Sequence, residues 1–325
     1  MKKVLLSGAT GFIGSHVLHE LVKQGFEVSG LYRNKKKIPG AYENHKSVHW
    51  INAEFTDFLS WKKYIQEHDV LINAVGIIRE TRRSKFKMLH QDIPSLMFEE
   101  AGAKKIKRVI QISALGVGLN LNQSGNSFKS VPYFQTKQKA DKVLINSGVN
   151  YTIFRPSLVY TARSEALKLF TKLVSGPITP VIGDGLYSLQ PIYVGDLARC
   201  VGASLKTFSR ETKNSIFELG GPQVLTFHQL LDTLAKVVTF QGKVVTFQGN
   251  DNRSSKLRKF KVSAALMSFF TSLADLTPMF PILPLTKDQL TMLLFGSVVK
   301  DKKYLDVFKF SFTKLAEGLQ KNPEF

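Results

Sequence analysis

The chain has 325 residues, 43% of them hydrophobic, which is enough for one large globular domain or two closely joined ones. Lysine and arginine exceed the acidic residues, giving a net charge of +20, and such a surplus favours an anionic partner such as phosphate or an acidic lipid surface. Nucleic acid is not expected, because the basic clusters lack interleaved aromatic residues. The single cysteine, Cys200, excludes an internal disulfide, so a cytoplasmic location fits best.

Strand-like and helix-like segments alternate through the first half of the chain. Strands are predicted at residues 4–7, 27–32, 48–52, 70–75, 108–113 and 151–154. Helices are predicted around residues 16–23 and 88–101 and after Tyr133. This alternation predicts an α/β fold, a doubly wound parallel sheet of the Rossmann type with helices on both faces.

The rhythm becomes less regular after Pro156, where prolines and glycines indicate loops. We therefore predict a dinucleotide-binding Rossmann domain at residues 1–156 and a smaller, interleaved lobe at residues 157–325. Two later helices should begin at capping boxes, Thr226 with Gln229 and Thr286 with Gln289.

The most informative motif is the glycine run of residues 8–14, GATGFIG, which follows an apolar strand and opens an apolar-periodic helix. Gly8 would permit the tight turn, Gly11 would let the backbone approach a pyrophosphate, and Gly14 would let helix and strand pack closely. The helix N-terminus would supply free N–H groups and partial positive charge. A purely structural turn is the alternative, which the flanking strand and helix disfavour.

The choice of dinucleotide depends on the end of the second strand, where a carboxylate would bind a ribose 2′-hydroxyl and an arginine would bind a 2′-phosphate. This strand ends in Tyr32-Arg33-Asn34, and Lys35, Lys36 and Lys37 follow. The sequence therefore favours NADP(H) over NAD(H), unless Arg33 is only a surface cation.

A second constellation combines Tyr133 and Lys137, four residues apart on a predicted helix, with Ser113 at the end of a strand. Lys137 could bind the nicotinamide ribose and lower the pKa of Tyr133, so that the phenol exchanges a proton with a substrate oxygen that Ser113 holds. An ordinary helix surface is the alternative. The seven histidines, His90 among them, lack the spacing and companions of a metal site, and no metal is expected.

These motifs resemble the short-chain dehydrogenases/reductases, including their NAD-dependent epimerase/dehydratase-like members. Within that family the chain is most similar to atypical members related to the nucleotide-binding accessory subunit of mitochondrial respiratory complex I and its bacterial homologues. The resemblance covers nearly the whole chain and rests on segments such as SGATGFIGSHV, LINAVGIIRET, VIQISALGV, PYFQTKQKAD, YTIFRPSLVY, QPIYVGDLA and FELGGPQVLTF.

The resemblance implies cofactor contacts along the glycine turn, at the second strand end, after the fourth strand and around the tyrosine. These residues are Gly8, Thr10, Gly11, Phe12, Ile13, Arg33, Ala74, Val75, Gly76, Tyr133, Lys137 and Pro156. Glu54 stands where many relatives carry an aspartate near the adenine, and the asparagine that conventional members add to serine, tyrosine and lysine has no clear equivalent.

Two functions follow. The first is an NADP(H)-dependent oxidoreductase acting on a carbonyl, quinone-like or nucleotide-sugar-like substrate, with Ser113, Tyr133 and Lys137 as catalytic residues. The second is a non-catalytic accessory, assembly or redox-sensing protein of a respiratory or membrane complex.

The segment 262–274 is apolar and is preceded by basic residues, so it is either a helix of the small-lobe core or a peripheral anchor on an anionic membrane surface. The prolines that follow it exclude a bilayer span. A tandem repeat, KVVTFQG at 236–242 and 243–249, is too short for a solenoid and assigns no function.

Overall fold

The computed structural model describes residues 2–118, 131–162, 164–206, 211–237, 257–265, 267 and 285–321. All but the first two residues of the tandem repeat, and most of the segment 262–274, lie outside these ranges.

The strands are β1 (Lys3–Ser7), β2 (Glu27–Tyr32), β3 (Val48–Asn52), β4 (Val70–Asn73), β5 (Arg108–Ile112), β6 (Tyr151–Pro156), β7 (Val159–Tyr160), β8 (Thr179–Ile182), β9 (Ser188–Leu189), β10 (Ile192–Tyr193), β11 (Ser215–Leu219), β12 (Leu225–Thr226) and β13 (Lys259–Val262). The helices are α1 (Phe12–Lys23), α2 (Phe58–Trp61), α3 (Ile93–Ala103), α4 (Pro132–Asn146), α5 (Glu165–Val174), α6 (Val194–Lys206), α7 (Phe227–Val237), α8 (Lys287–Phe295), α9 (Lys303–Val307) and α10 (Leu315–Gln320).

Within the described residues, seven strands form one parallel sheet in the order β11-β6-β5-β4-β1-β2-β3. The predicted doubly wound fold is confirmed. The strand order reverses between β1 and β4, and in open parallel sheets the crevice at this switch point, outside the carboxyl ends of the strands, binds ligands. The glycine turn that follows β1 lies at this crevice.

The central strands are apolar because helices cover both faces of the sheet. Every residue of β4 and β5 is buried. On one face α1 and α6 pack together, with Val17, Leu21 and Val201 in one apolar cluster. On the other face α3 and α4 cover the sheet, and Met97 and Leu144 belong to their shared cluster.

The helix predicted around residues 88–101 consists of two parts. It begins as a π-helical turn over Lys87–Asp92 and continues directly as α3. A π-helical turn inserts an extra residue into the helix and often occurs at functional sites. The turn orients His90, which is 1% exposed, toward the interior.

The second half of the chain contributes to both parts of the molecule. A separate apolar cluster contains Leu167 of α5, Phe227 of α7, Leu290 of α8 and Leu319 of α10. Yet β11 pairs with β6 along its whole length and extends the large sheet. The division at residue 156 stays a prediction.

The second half of the chain is fixed by specific polar contacts as well as by apolar packing. Both predicted capping boxes form, at Thr226 with Gln229 and at Thr286 with Gln289. The buried carboxylate of Asp196, in the first turn of α6, accepts hydrogen bonds from the backbone N–H and the hydroxyl of Thr313. It thereby ties the segment before α10 to α6.

Candidate active site

The glycine turn leaves no space for side chains at two of its three glycines. Gly8 has φ +78°, and a Cβ there would stand 2.8 Å from the carbonyl carbon of Ala74. A Cβ on Gly14 would overlap the carbonyl oxygen of Gly8. These two glycines bring the turn, α1 and the end of β4 together, as their spacing predicts.

Gly11 differs from the other two glycines because it faces outward. It is the N-cap of α1, with extended backbone, and it is exposed. Among the described residues, a Cβ on Gly11 would meet only the Gly8 oxygen, at 3.1 Å.

The helix terminus behind Gly11 suits an anion. The first turn of α1 contains no acidic residue, and the first N–H groups of a helix have no partner within the helix. This terminus therefore fits a pyrophosphate in charge, donors and space. Of the neighbouring side chains, Phe12 is 40% exposed, while Thr10 and Ile13 are half-buried.

A buried polar network supports the floor of the crevice below the turn. Ser7 Oγ donates to Asn73 Oδ1 at 2.9 Å, and Asn73 Nδ2 donates to Gln111 Oε1 at 2.8 Å. Asn73 Oδ1 also accepts the backbone N–H of Val75, at 3.2 Å. The ends of β1, β4 and β5 are thus held together, and the loop after β4 begins in a fixed position.

Arg33 lies at the carboxyl end of β2, on the same edge of the sheet. Its guanidinium is 3.6 Å from a carboxylate oxygen of Glu54, and both side chains are largely exposed. An exposed pair of this kind contributes little to stability and is easily exchanged for another anion. Arg33 is therefore available to a 2′-phosphate, in competition with Glu54.

Tyr133 and Lys137 lie on the inward face of α4, in its first two turns. Pro132 occupies the first helical position, where its missing N–H costs nothing. Tyr133 is 8% exposed and Lys137 is 4% exposed. The Lys137 ammonium donates to the carbonyl of Ile112 at 3.2 Å and lies 5.6 Å from the centre of the Tyr133 ring.

Burial, and not Lys137, determines the direction in which the pKa of Tyr133 shifts in this arrangement. Burial raises the pKa of Tyr133 instead of lowering it, because the phenolate would lose its hydration in an apolar cluster that includes Phe86 and Val131. Burial also lowers the pKa of Lys137 to about 8, against the opposing effect of Asp141. Lys137 is thus still mainly an ammonium ion at neutral pH.

The Ser113 hydroxyl is committed to a partner that the sequence did not indicate. It donates to Asp141 Oδ2 at 2.9 Å, and Arg155 donates to the same oxygen at 3.0 Å. Burial raises the pKa of Asp141 although Arg155 acts in the opposite direction. A hydroxyl has one proton to donate, so beside an ionised Asp141 the Ser113 oxygen can only accept a further hydrogen bond.

The remaining predicted contacts lie around the same crevice. Ala74 and Val75 are half-buried and Gly76 is exposed, and a Cβ on Gly76 would stand 3.7 Å from Lys137 Nζ. Pro156 is buried at the end of β6, where its carbonyl accepts the N–H of Leu115. The glycine turn, the loop after β4 and the Tyr133–Lys137 pair therefore form one continuous surface.

His90 is buried against these residues, although from the sequence it was considered only as a possible metal ligand. Its ring packs edge-on to Tyr133, with centroids 5.2 Å apart, and stacks on Phe86. Its Nε2 accepts the backbone N–H of Ile77 at 3.0 Å. The packing of His90 on Phe86 could have been predicted from the sequence, since the two residues are four positions apart and share a helix face. Among the described residues, no cluster of His, Cys, Asp or Glu could hold a metal ion.

Comparison with known proteins gives a family and several relatives. Residues 8–175 match the family model described as NAD(P)H-binding. A protein of Arabidopsis thaliana named "NADH dehydrogenase [ubiquinone] 1 alpha subcomplex subunit 9, mitochondrial" is 28% identical over 238 residues, or 71% of this chain. The match spans 56% of the Arabidopsis protein, little more than half of its length.

Solved structures of similar fold cover almost the whole chain. UDP-glucuronic acid 4-epimerase from Bacillus cereus, in complex with NAD, has a TM-score of 0.67 at 19% identity and covers 97% of this chain and 93% of its own. The dTDP-glucose 4,6-dehydratase from Bacillus anthracis, also in complex with NAD, has a TM-score of 0.67 at 14% identity and covers 98% of this chain and 94% of its own. At such identities the likeness concerns the fold.

Proposed function

Because the chain belongs to the NAD(P)H-binding family, we propose that it is an NADP(H)-dependent oxidoreductase acting on a carbonyl, quinone-like or nucleotide-sugar-like substrate. The observation that carries this proposal is the continuous surface from the glycine turn to Lys137. It combines an anion-binding helix N-terminus with a buried tyrosine and lysine at the topological switch point.

In this proposal the dinucleotide lies along that surface. Its pyrophosphate would meet the turn at Gly11 and the first N–H groups of α1, and its adenine ribose would lie near Arg33. Its nicotinamide half would lie against the loop 74–76, near Lys137. When bound, the nicotinamide supplies or accepts a hydride.

The residues around the nicotinamide would handle the proton. Burial keeps the phenol of Tyr133 protonated, and in this proposal the phenol would donate that proton to a substrate oxygen that becomes an alkoxide. The ammonium of Lys137 would stabilise the phenolate that remains. Ser113 would accept a hydrogen bond from a substrate hydroxyl, since its own O–H donates to Asp141.

Tyr133→Phe tests the enzyme hypothesis. We expect the variant to bind NADPH with wild-type affinity and to lose at least about a hundredfold in kcat with the best substrate of a carbonyl and quinone panel, because general acid catalysis is removed. Tyr64→Phe, in the segment Lys62–Glu67 away from the crevice, is the matched control. Equal turnover by Tyr133→Phe and wild type would remove Tyr133 from the chemistry.

A non-catalytic accessory or redox-sensing role is the second candidate. The hydrogen bond from Ser113 to Asp141 and the raised pKa of Tyr133 favour it, as does the name of the Arabidopsis relative, a subunit of an NADH dehydrogenase. If wild type binds the dinucleotide tightly and turns over none of the panel, the accessory role is supported.

The preference for NADP(H) rests on Arg33 and the lysines that follow it. The two solved neighbours are complexes with NAD, so the preference depends on this chain's own residues. We expect NADPH to bind several-fold more tightly than NADH, because a guanidinium makes charge-assisted hydrogen bonds to a 2′-phosphate.

Titration of both cofactors against two variants tests this preference. Arg33→Ala should weaken NADPH and leave NADH unchanged. Glu54→Gln should strengthen NADPH, because the competing carboxylate 3.6 Å from Arg33 is lost. Equal affinities in wild type, or a preference that Arg33→Ala does not reduce, would refute the NADP(H) assignment and leave dinucleotide binding intact.

A cytoplasmic protein with peripheral contact to an anionic membrane is the proposed location. No described helix is long and apolar enough to cross a bilayer. Met267, the one described residue of the later part of the segment 262–274, is buried in the small-lobe cluster. Support comes instead from the paired strands β8 and β13: Phe260 of β13 is 62% exposed, Ile178 just before β8 is 57% exposed, and Arg258 and Lys261 are exposed near Phe260 in sequence.

A further inference from the structure

The loop after β4, residues 74–77, is held by three successive contacts of its backbone N–H groups. The N–H of Ala74 donates to the carbonyl of Ser7 at 3.1 Å, and that of Val75 donates to Asn73 Oδ1 at 3.2 Å. The N–H of Ile77 donates to His90 Nε2 at 3.0 Å. Two of these acceptors lie on the strands below the loop, but His90 comes from the π-helical turn beside it.

His90 also contacts the other half of the candidate site. Its ring lies edge-on to the Tyr133 ring at an interplanar angle of 88°. A Cβ on Gly76 would stand 3.8 Å from His90 Nε2 and 3.7 Å from Lys137 Nζ. One imidazole therefore joins the loop 74–77 to the residues of α4 that would act on a substrate.

The hydrogen bond to Ile77 determines the form of the ring. Because Nε2 accepts a backbone N–H, the proton of the neutral imidazole is on Nδ1. That Nδ1 has no hydrogen-bond partner among the described residues, although the side chain is 1% exposed. A buried donor without a partner lowers the stability of the fold. The presence of an imidazole here in spite of that loss points to a role for its contacts with Ile77 and Tyr133.

We propose that His90 is a positioning residue for the nicotinamide half of the dinucleotide, acting by holding the loop 74–77 against Tyr133 and Lys137 through the Ile77 hydrogen bond. This inference rests on the proposed binding of a dinucleotide in the crevice. It assigns no role to His90 at the pyrophosphate or adenine, which would lie toward the glycine turn and Arg33.

Three substitutions at His90 distinguish the effect of its hydrogen-bond acceptor, Nε2, from the effect of its ring. In His90→Gln the amide extends about as far as Nε2 and can accept the Ile77 N–H, whereas in His90→Asn it ends near the position of Nδ1 and cannot. His90→Phe keeps the ring and removes both nitrogens. Gln and Asn differ by one methylene, so their comparison remains valid if the Phe variant fails to fold.

The experiment measures the affinity of each variant for a whole dinucleotide and for a fragment that lacks the nicotinamide. The probes are NADPH with 2′-phospho-ADP-ribose, or NADH with ADP-ribose if wild type prefers NADH. We expect His90→Asn and His90→Phe to bind the dinucleotide about tenfold more weakly, to bind the fragment as wild type does, and to lose the fluorescence enhancement of a held nicotinamide. His90→Gln should retain both affinities.

Wild-type affinity of the Asn and Phe variants for the dinucleotide would overturn the inference. An equal loss of dinucleotide and fragment would also overturn it, because His90 would then support the whole fold. If wild type itself binds neither probe, the proposed function fails first, and this result is distinct from the other two.

Discussion

At the scale of single residues, burial has the largest effect on the chemistry of the candidate site. It raises the pKa of Tyr133 and lowers that of Lys137 to about 8, and together with the charge of Lys137 it lowers the pKa of His90 to about 2. Each shift favours the neutral form of its group. His90 is therefore neutral throughout the physiological range.

The low pKa of His90 predicts a pH dependence of stability. In the unfolded chain its pKa is 6.5, so between pH 6.5 and about 2 the unfolded state binds a proton that the folded state does not. The free energy of unfolding should therefore decrease as the pH falls below 6.5, and this residue should contribute up to about 1.4 kcal/mol of that decrease per pH unit.

Denaturant unfolding of wild type and His90→Gln from pH 8 to pH 4 measures this contribution. The difference between the two proteins should be constant above pH 7 and should then shift in favour of the variant as the pH falls. Parallel curves over the whole range would mean that the folded imidazole titrates normally.

At the scale of elements, the glycines of the turn between β1 and α1 are of two kinds, those that the fold requires and one that cofactor binding would require. Gly8 and Gly14 are required by contacts within the protein, whereas Gly11 faces the open crevice. Glycines at the same three-residue spacing are thus needed for two different reasons: close packing at Gly8 and Gly14, and an open approach for the pyrophosphate at Gly11.

Substitutions in this turn should have separate effects. Gly14→Ala should lower the free energy of unfolding by about 2 kcal/mol or more, since its Cβ would overlap the Gly8 oxygen. Gly11→Val should change stability by less than about 1 kcal/mol and abolish cofactor binding, because its side chain would stand where the pyrophosphate approaches. Chemical denaturation and cofactor titration measure the two effects, and wild-type binding by Gly11→Val would contradict the placement of the pyrophosphate.

At the scale of the whole molecule, the basic surplus and the exposed apolar side chains decide where the protein could meet a membrane. Phe260 and Leu59 are both strongly exposed, at 62% and 74%. Phe260 lies close in sequence to the exposed Arg258 and Lys261, while Lys259 is paired with Asp232. Leu59 on α2 instead lies next to an acidic rim that includes Asp57 and Glu99. Charge complementarity with anionic lipid therefore favours the face that contains Phe260.

Co-sedimentation with phosphatidylserine-containing and with purely phosphatidylcholine vesicles tests this choice. Wild type should sediment with the anionic vesicles at low salt, and Phe260→Ser should bind about tenfold more weakly, since an inserted aromatic ring is lost. Leu59→Ser is the matched control and should bind like wild type. Wild type that stays in the supernatant with both vesicles would refute the membrane proposal.

The sequence by itself determined the parallel sheet and the position of the glycine turn. The strands 27–32 and 48–52 have the predicted bounds, because apolar runs between turn residues are local patterns that a sheet covered on both faces demands. Gly8, Gly14 and the pair of Tyr133 and Lys137 also lie where their spacing predicts, since a turn and a helix face are set by residues a few positions apart.

The tertiary structure decided the partners of the polar groups. Ser113 donates to a residue 28 positions away, and His90 accepts from Ile77, 13 positions away across a loop and a π-helical turn. The lowering of the Tyr133 pKa was wrongly expected because burial in a cluster of distant residues outweighs a lysine one turn away. The strand β11 joins the large sheet although it comes from the second half of the chain. Such outcomes depend on long-range pairing and on desolvation, which are properties of the folded molecule and leave no periodic signal in the sequence.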